Sequence, residues 1–358
     1  MPSLKEIKGR INSISSTLAI TSAMKMVAAA KLQKAQMAIQ NMLPYERRLY
    51  SMLVDLMGAM NISAAASEDG SVRGSGSAER GFDQSGDRLS LSNRHDLAGM
   101  DGAYSLMAQR EVRKVAIVAF ASNSSLCGAF NSNAIREATA VINEYRASGL
   151  GDADITVYSV GRKMAETMKK LGFPSPADFT KMSDSPSYDA ASALAQELFD
   201  GFVSGRFDKV ELVYNHYKST SSQPTTRQTY LPLSLADAIA DLQAGKIADS
   251  ASESDTNRGA EPVGAPVVRQ GSPTTEDLIV EPSKEALIAT LLPKVIRLRI
   301  FTTLLDSAAA EHAARTVAMQ LATDNGNDLL QELTLEYNKG RQQKITSEIL
   351  DLVGGSMQ

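Results

Sequence analysis

Residues that commonly perform catalysis or bind metals are few in this sequence and far apart. The histidines are His95, His216 and His312, and neither a CxxC nor an HExxH motif occurs, so the spacing of a zinc site is absent. The sequence also lacks G-x-x-x-x-G-K-(S/T), the loop that cradles phosphates in P-loop enzymes. We therefore expect no catalytic residue, no metal and no cofactor, and no hydrolysis of nucleoside triphosphates by the chain itself.

One turn could bind an anion. Residues 126–131, Leu-Cys-Gly-Ala-Phe-Asn, lie between a predicted buried strand and a predicted helix, where doubly wound domains bind phosphates or dinucleotides. The turn lacks G-x-G-x-x-G, so we favour a tight turn that packs helix on strand over a ligand site. Cys127 could be a nucleophile or a redox switch, but no basic residue neighbours it in sequence, so we expect it to be buried packing.

Basic residues dominate the N-terminal segment. Up to residue 40, the lone acid Glu6 stands against six basic side chains: Lys5, Lys8, Arg10, Lys25, Lys31 and Lys34. The simplest interpretation is a solvated helix face. The alternative is a surface presented to an acidic partner, and Lys25 favours it modestly, because it falls on the apolar seam described below.

Composition excludes several classes of protein. A net charge of -4 and an isoelectric point near 5.6 argue against nucleic-acid binding. Cys127 is the single cysteine, so no internal disulfide can form and a reducing compartment is expected. No long uninterrupted apolar window and no export signal are visible, so we expect no direct membrane insertion.

Apolar residues recur every three or four positions near the N-terminus. The positions are Ile7, Ile11, Ile14, Leu18, Thr21, Lys25, Ala28, Leu32, Ala35, Ile39, Met42, Glu46, Leu49, Leu53, Leu56 and Met60. Only three of these sixteen are not apolar, and a repeat of this length predicts a left-handed coiled coil. The helix would reach roughly 80 Å at the standard rise. Pro44 lies within it, so we expect a kink or a change of packing partner there.

Strands and helices alternate in the middle of the chain. The run Val112–Phe120 is almost continuously apolar, which is typical of a strand buried on both faces. We predict strands over 112–120, 155–160, 209–214 and 226–231, and helices over 131–146, 162–171 and 190–202. This alternation indicates a small α/β, Rossmann-like domain with a mostly parallel sheet.

A second long helix is predicted near the C-terminus. It begins near Ser283, Pro293 interrupts it early, and Lys294 to Val353 contains no further proline, which would give roughly 90 Å of helix. Residues 324–328 are its one polar interruption. Because neither long helix can leave its apolar stripe in water, we expect the two to form an antiparallel coiled coil.

These patterns divide the chain into five segments. Two segments are rich in Gly, Ser and Asp, and we predict that they are flexible insertions. The predicted division is 1–61 for the N-terminal coiled-coil helix, 62–110 for the first insertion, 111–243 for the α/β domain, 244–281 for the second insertion and 282–358 for the C-terminal coiled-coil helix.

Three segments resemble one known family, the gamma subunits of F-type ATP synthases. Residues 1–36, which contain ITSAMKMVAAAK, resemble that family's N-terminal helix, and residues 318–355 resemble its C-terminal helix almost throughout. Residues 126–133, LCGAFNSN, are similar to the strand-turn-helix of its α/β domain, although Ser124-Ser125 replaces the usual Arg-Gly before Leu-Cys-Gly. The resemblance leaves out the two insertions, which exceed the usual bacterial length.

The resemblance implies a non-catalytic central rotor shaft of a proton-translocating complex. One copy would penetrate a ring of alpha and beta subunits, with its α/β domain and the epsilon subunit on the membrane-embedded c-ring, at the cytoplasmic face of the bacterial inner membrane. It also implies beta-subunit contacts by Met24 and Lys25 on the first helix, and by Arg341, Gln342, Thr346 and Glu348 on the last.

Two other classes of function fit the residues. A coiled-coil scaffold would have the same helices, but no ATPase would depend on it. An α/β enzyme or ligand-binding module would use its helical ends only to oligomerise. If the second helix paired with another copy the protein would be a homodimer, so a monomeric mass would count against both alternatives.

Overall fold

The computed structural model describes residues 3–68, Leu106, 110–233 and 283–356. In chain order the elements are α1 (Leu4–Glu68), β1 (Val115–Phe120), α2 (Phe130–Ala147), a 3-10 turn (Asp152–Asp154), β2 (Ile155–Val160), α3 (Arg162–Lys170), α4 (Thr180–Asp184), α5 (Tyr188–Val203), β3 (Lys209–Asn215), β4 (Thr225–Leu231) and α6 (Lys284–Ser356). The predicted insertion 244–281 and most of 62–110 lie outside the described residues.

The two long helices, α1 and α6, pack against each other in antiparallel directions. Thr323 Oγ1 donates to Thr21 Oγ1 at 3.1 Å, whereas Arg299 Nη1 donates to Tyr50 OH at 2.6 Å, so residue numbers fall along α6 as they rise along α1. Every predicted seam position from Ile7 to Leu56 is buried or half-buried. The predicted antiparallel coiled coil is therefore confirmed.

Two helix bounds differ from the sequence-based expectation. α1 continues to Glu68, past the predicted boundary at residue 61, because the run Ala64–Ala66 consists of the strongest helix former. α6 is continuous through Pro293, so the predicted interruption there is wrong. Leu292 and Val295 beside this proline are fully buried, and that packing outweighs the missing backbone hydrogen bond.

A four-stranded sheet forms the middle of the molecule. Its strand order is β2-β1-β3-β4, with β1 parallel to both neighbours and β4 antiparallel to β3, which confirms the mostly parallel prediction. All six residues of β1 are buried, as its apolar sequence predicts. The strand begins at Val115 and not at Val112, because the exposed residues Arg113 and Lys114 instead donate their backbone N–H groups to the Asp208 carboxylate.

The sheet separates two apolar layers. On one face, α2 and α3 cover the sheet through residues such as Ala138, Val141 and Met164. On the other face, α5 and the base of the helix pair form a single core with the sheet, in which Leu53 of α1 and Val295 of α6 are fully buried. The paired helices thus take the place of the second helical layer of an α/β domain.

Candidate functional site

The sequence-predicted contact residues lie on the part of the helix pair that extends beyond the α/β domain. Met24 is 39% exposed, and Lys25 is half-buried on the seam. Arg341, Gln342 and the rest of the run 341–350 are exposed. All of these side chains are therefore at least partly accessible to a partner.

Two of the C-terminal contact residues already make contacts within α6. Thr346 Oγ1 donates to the Gln342 backbone oxygen at 2.9 Å, and Glu348 lies 3.8 Å from Lys344 Nζ. Both interactions join exposed residues one helical turn apart, and such pairs are weak and easily exchanged for contacts with a partner.

The structure does not bring the two predicted sets of contact residues together. Lys25 is one turn beyond Thr21, which bonds Thr323, so Lys25 lies at the level of Met319. Arg341 is 22 residues further along α6 (341 minus 319), or about 33 Å at the standard rise. The candidate site is therefore two separate contact zones on one long shaft.

The C-terminal zone is the end of α6, which among the described residues extends beyond its pairing with α1. α1 begins at Leu4, where a Cβ placed on Gly340 would lie 3.1 Å from Leu4 Cδ2, so α6 continues past the end of its partner. This extension exposes a series of apolar side chains: Ile345, Ile349, Leu350, Leu352 and Val353. Exposed apolar surface of this extent at the end of a long helix is typical of a protein-binding surface.

The N-terminal zone also exposes apolar side chains. Ile20, Met26 and Val27 are each more than half exposed, although they belong to a helix whose opposite side is buried against α6.

None of the helices that the structure describes contains a stretch that is both long and apolar enough to cross a membrane.

The turn after β1 is filled by the protein itself. Cys127 is buried and packs with Phe130 and Ala310 of α6. Asn131 closes the turn, because its Oδ1 accepts from both the N–H and the hydroxyl of Ser122 at 2.9 Å and its Nδ2 lies 3.1 Å from Cys127 Sγ. This packing supports the tight-turn interpretation over a ligand site.

Leu126 in the same turn has a backbone conformation that residues other than glycine rarely adopt. Its φ is 69°, and its side chain is more than half exposed. Arg315 of α6 holds the turn in place by donating to the Ser125 backbone oxygen at 2.9 Å.

The histidines have unrelated environments. His216 Nδ1 lies 2.7 Å from Asp306 Oδ2, and the hydrogen bond to this carboxylate raises the pKa of His216 above its usual value. Burial of His312, together with the nearby Lys31 and Arg315, lowers the pKa of His312 to about 4. His95 lies outside the described residues, within which no three His, Cys, Asp or Glu side chains cluster as metal ligands would.

One buried carboxylate belongs to the domain interior. Glu211 accepts hydrogen bonds from Tyr145 OH at 2.6 Å, Lys209 Nζ at 2.7 Å and Arg227 Nε at 2.7 Å. Burial opposes its ionisation, but these donors outweigh burial, so the pKa of Glu211 is lowered. These donors lie on α2, β3 and β4, so the cluster is an ion network that joins these elements of the domain.

Sequence reasoning missed the polar contacts that join the α/β domain to the shaft. Tyr217 accepts from Gln36 Nε2 at 2.7 Å, and the Tyr217 backbone N–H donates to Asp306 Oδ1 at 2.9 Å. These partners are 181 and 89 residues apart, beyond the reach of a local pattern. A signal was nevertheless present, because Asp306 is the single charged residue in the run Ile300–Ala310.

Comparisons with known proteins agree with this geometry. A model of the family described as ATP synthase matches residues 3–357. A protein named ATP synthase gamma chain from Phocaeicola vulgatus is 47% identical over 357 residues and covers 100% of both chains. The protein of the same name from Bacteroides thetaiotaomicron is 44% identical over 358 residues, again covering 100% of both.

A solved structure shares the fold. A chain of the Euglena gracilis mitochondrial ATP synthase assembly of OSCP, F1 and c-ring aligns with a TM-score of 0.54 and 18% identity, covering 99% of this chain and 93% of that one. The relatives and the family match extend over essentially the whole sequence, including both long helices and the sheet between them. The chain belongs to the ATP synthase gamma chain family.

Proposed function

We propose that this chain is the central rotor shaft of a proton-translocating F-type ATP synthase. One observation carries the proposal: the α6 extension beyond Gly340 exposes a run of apolar side chains at the end of a stiff helix pair whose base is built into a folded domain. Such an element can project into a ring of partner subunits while its base is held elsewhere. In this proposal residues 1–61 and 282–358 supply the shaft, and residues 111–243 supply the foot.

The shaft would act through contacts that differ among the subunits around it. It is asymmetric about its long axis, because α1 and α6 differ in sequence and expose different side chains on the two sides of the pair. A ring of three alpha and three beta subunits would therefore meet different surfaces in each orientation. An interaction that differs between two states of a partner shifts that partner's equilibrium, which is how rotation would open and close nucleotide sites.

Specific residues can be assigned to this mechanism. Lys25 and the neighbouring Met24 would contact an acidic loop of a beta subunit, to which a half-buried ammonium group presents positive charge. Arg341, Gln342, Thr346 and Glu348 would contact a beta-subunit loop from the exposed α6 extension, where donors and acceptors alternate along one accessible helix.

The remaining assignments concern the complex. The chain would be a non-catalytic subunit present once per complex, with chemistry confined to the beta subunits. Its α/β domain would rest with the epsilon subunit on the c-ring, as a peripheral subunit at the cytoplasmic face of the bacterial inner membrane. The packed turn around Cys127 supports this assignment over an α/β ligand-binding module.

Reconstitution tests the proposal directly. The purified chain is mixed with alpha and beta subunits from the same source, and ATP hydrolysis is measured together with the mass of the complex. We expect a complex of three alpha, three beta and one copy of this chain, with hydrolysis that depends on its presence. A folded chain that neither joins nor activates the ring would favour a scaffold role.

A further inference from the structure

The loop between β3 and β4, residues 216–224, reaches both helices of the shaft at once. On α6, the Asp306 carboxylate is held by His216 Nδ1 at 2.7 Å and by the Tyr217 backbone N–H at 2.9 Å. On α1, Gln36 Nε2 donates to the Tyr217 hydroxyl at 2.7 Å. In the part of the chain that the structure describes, this loop thus makes a polar contact with each long helix through two consecutive residues.

The loop is built to keep its shape. The backbone N–H of His216 donates to the Pro224 oxygen at 2.9 Å, which closes the loop at its base. Inside the loop, Gln223 Nε2 donates to the backbone oxygens of Ser219 and Thr220 at 3.0 and 2.7 Å. The preceding strand end is fixed as well, because Asn215 Nδ2 donates to the Phe130 oxygen at 3.0 Å. The contacts of His216 and Tyr217 therefore start from a rigid base.

Large side chains such as Leu298 and Leu304 anchor the base of α6 in the core under the sheet, but beyond Leu304 apolar packing offers little that interlocks. The face that α6 presents here is made of fully buried alanines, Ala309, Ala310 and Ala313, which pack with Tyr217 or with Leu32 of α1. Alanine side chains are short and offer little surface to interlock, and apolar attraction is non-directional. Hydrogen bonds have a preferred direction, so the bonds to Asp306 and Gln36 are suited to fix the rotation of each helix about its axis.

We propose that the β3–β4 loop is a clamp in which His216 and Tyr217 are positioning residues that fix the rotational orientation of the helix pair relative to the α/β domain. The inference rests on the proposed function, since torque between the shaft and the foot would pass through this joint. Asp306 and Gln36 are the points at which the clamp holds the two helices, and domain contacts continue along α6 through Ala310 to Arg315.

The test uses the complete membrane complex reconstituted in vesicles. The double variant Asp306→Leu/Tyr217→Phe removes both carboxylate oxygens and the hydroxyl but keeps side chains of similar size. The matched control is Asp152→Leu, which breaks an exposed contact to Arg146 in the same domain, away from the shaft. Two rates are measured for each complex: ATP hydrolysis and ATP-driven proton transport.

We expect the double variant to hydrolyse ATP at nearly the normal rate while the ratio of protons transported to ATP hydrolysed falls. Each lost hydrogen bond lowers the equilibrium constant for the attachment of the loop to the helices about fivefold. We therefore expect the ratio of protons transported to ATP hydrolysed to fall about twofold or more. The control should leave the ratio unchanged. An intact double-variant complex whose ratio equals that of the control would overturn the clamp.

Failure of the clamp can be distinguished from failure of the proposed function. If the unsubstituted chain does not join the ring, the rotor proposal fails; if it joins and couples but the double variant couples equally well, the clamp alone fails. Should the double variant not assemble, Tyr217→Phe and His216→Gln are examined singly. His216 faces the Asp306 carboxylate of α6 and lies near Lys218 of its own loop, and it loses its charge as pH rises. The coupling ratio of the unsubstituted complex should then decline with rising pH and that of His216→Gln should not, whereas identical pH profiles would overturn the proposal.

Discussion

Lys25 is a charged residue on a seam that is otherwise almost entirely apolar. The residue is half-buried, so it is not enclosed in a dry interface. At this position the charge contributes little to packing and is available to an acidic surface.

Reversal of this charge should slow association with the catalytic ring. We expect Lys25→Glu to reduce the rate of association with alpha and beta subunits about tenfold at low salt, with a smaller effect at high salt. The measurement is stopped-flow association at several salt concentrations. Lys170→Glu makes the same charge change on an exposed residue of α3 and serves as the control. Equal rates for the two variants would contradict a specific role of Lys25.

The two described histidines should affect stability in opposite directions with pH. Asp306 raises the pKa of His216 in the folded chain, so its contribution is fully present below about pH 6.5, the unfolded value, and is lost as pH rises through the raised folded pKa. Burial lowers the pKa of His312 to about 4, so the folded chain loses stability as pH falls from about 6.5 towards that value.

Denaturant unfolding at several pH values separates these contributions. Relative to the unsubstituted chain, His216→Gln should be most destabilised at low pH, and the difference should shrink above neutrality. His312→Gln should lose less stability than the unsubstituted chain as pH falls. Parallel stability curves for all three proteins would show that neither histidine titrates as its surroundings imply.

At the scale of elements, Gly326 sets how closely the two long helices approach. A Cβ placed there would lie 2.7 Å from Leu18 Cδ2, a distance that a real side chain could not keep without moving its neighbour. Glycine inside a helix costs about 0.5–1 kcal/mol relative to alanine. We infer that this cost is offset by the packing of Leu18 into the gap.

Filling that gap should weaken the helix pair. We expect Gly326→Leu to lower the free energy of unfolding by about 1–3 kcal/mol through overpacking, measured by denaturant titration. Adding Leu18→Ala to the variant should restore part of the loss. Gly9→Leu is the matched control, since nothing lies near Gly9 and the better helix former should stabilise slightly. Destabilisation of equal size in both single variants would rule out the packing explanation.

Element type was predictable where the local pattern was strong. The predicted strand 155–160 matches β2, because a run rich in β-branched residues there ends at a glycine, Gly161. The five-residue helix α4 was missed, since it is too short to show a helical period. The continuity of α6 through Pro293 could not be predicted, because it depends on burial by distant parts of the chain.

The residues of the candidate contact zones could be predicted from the sequence, whereas those of the clamp could not. Residues such as Met24 and Arg341 were identified from resemblance and lie on accessible helix, but their separation of tens of ångströms required the register of the pair. Tyr217 and Gln36 meet only because β3 ends beside α1 in three dimensions, and neither residue stands out in its local sequence.

At the scale of the whole molecule, the α6 extension is separable from the fold. Ending the chain at Gly340 removes residues that are exposed wherever they are described, so the free energy of unfolding should change by less than about 0.5 kcal/mol. Turnover of the reconstituted ring should fall by up to about tenfold, as contacts worth roughly 1.4 kcal/mol are lost. Calorimetry of the isolated chain and ATPase assays of the complex measure the two effects. A large loss of stability would show that the extension belongs to the fold.

The shaft joins the two ends of the chain, and this has a consequence for synthesis on the ribosome. α1 ends at Glu68 and its partner begins at Lys284, so 215 residues (from 69 to 283) are translated between them. At a translation rate of about 5–20 residues per second, the apolar seam of α1 is synthesised roughly 10–40 s before the first residues of α6. During that interval Ile11, Leu18 and their neighbours have no native surface to cover them, and the nascent chain is a natural client for chaperones that bind exposed amphipathic helices.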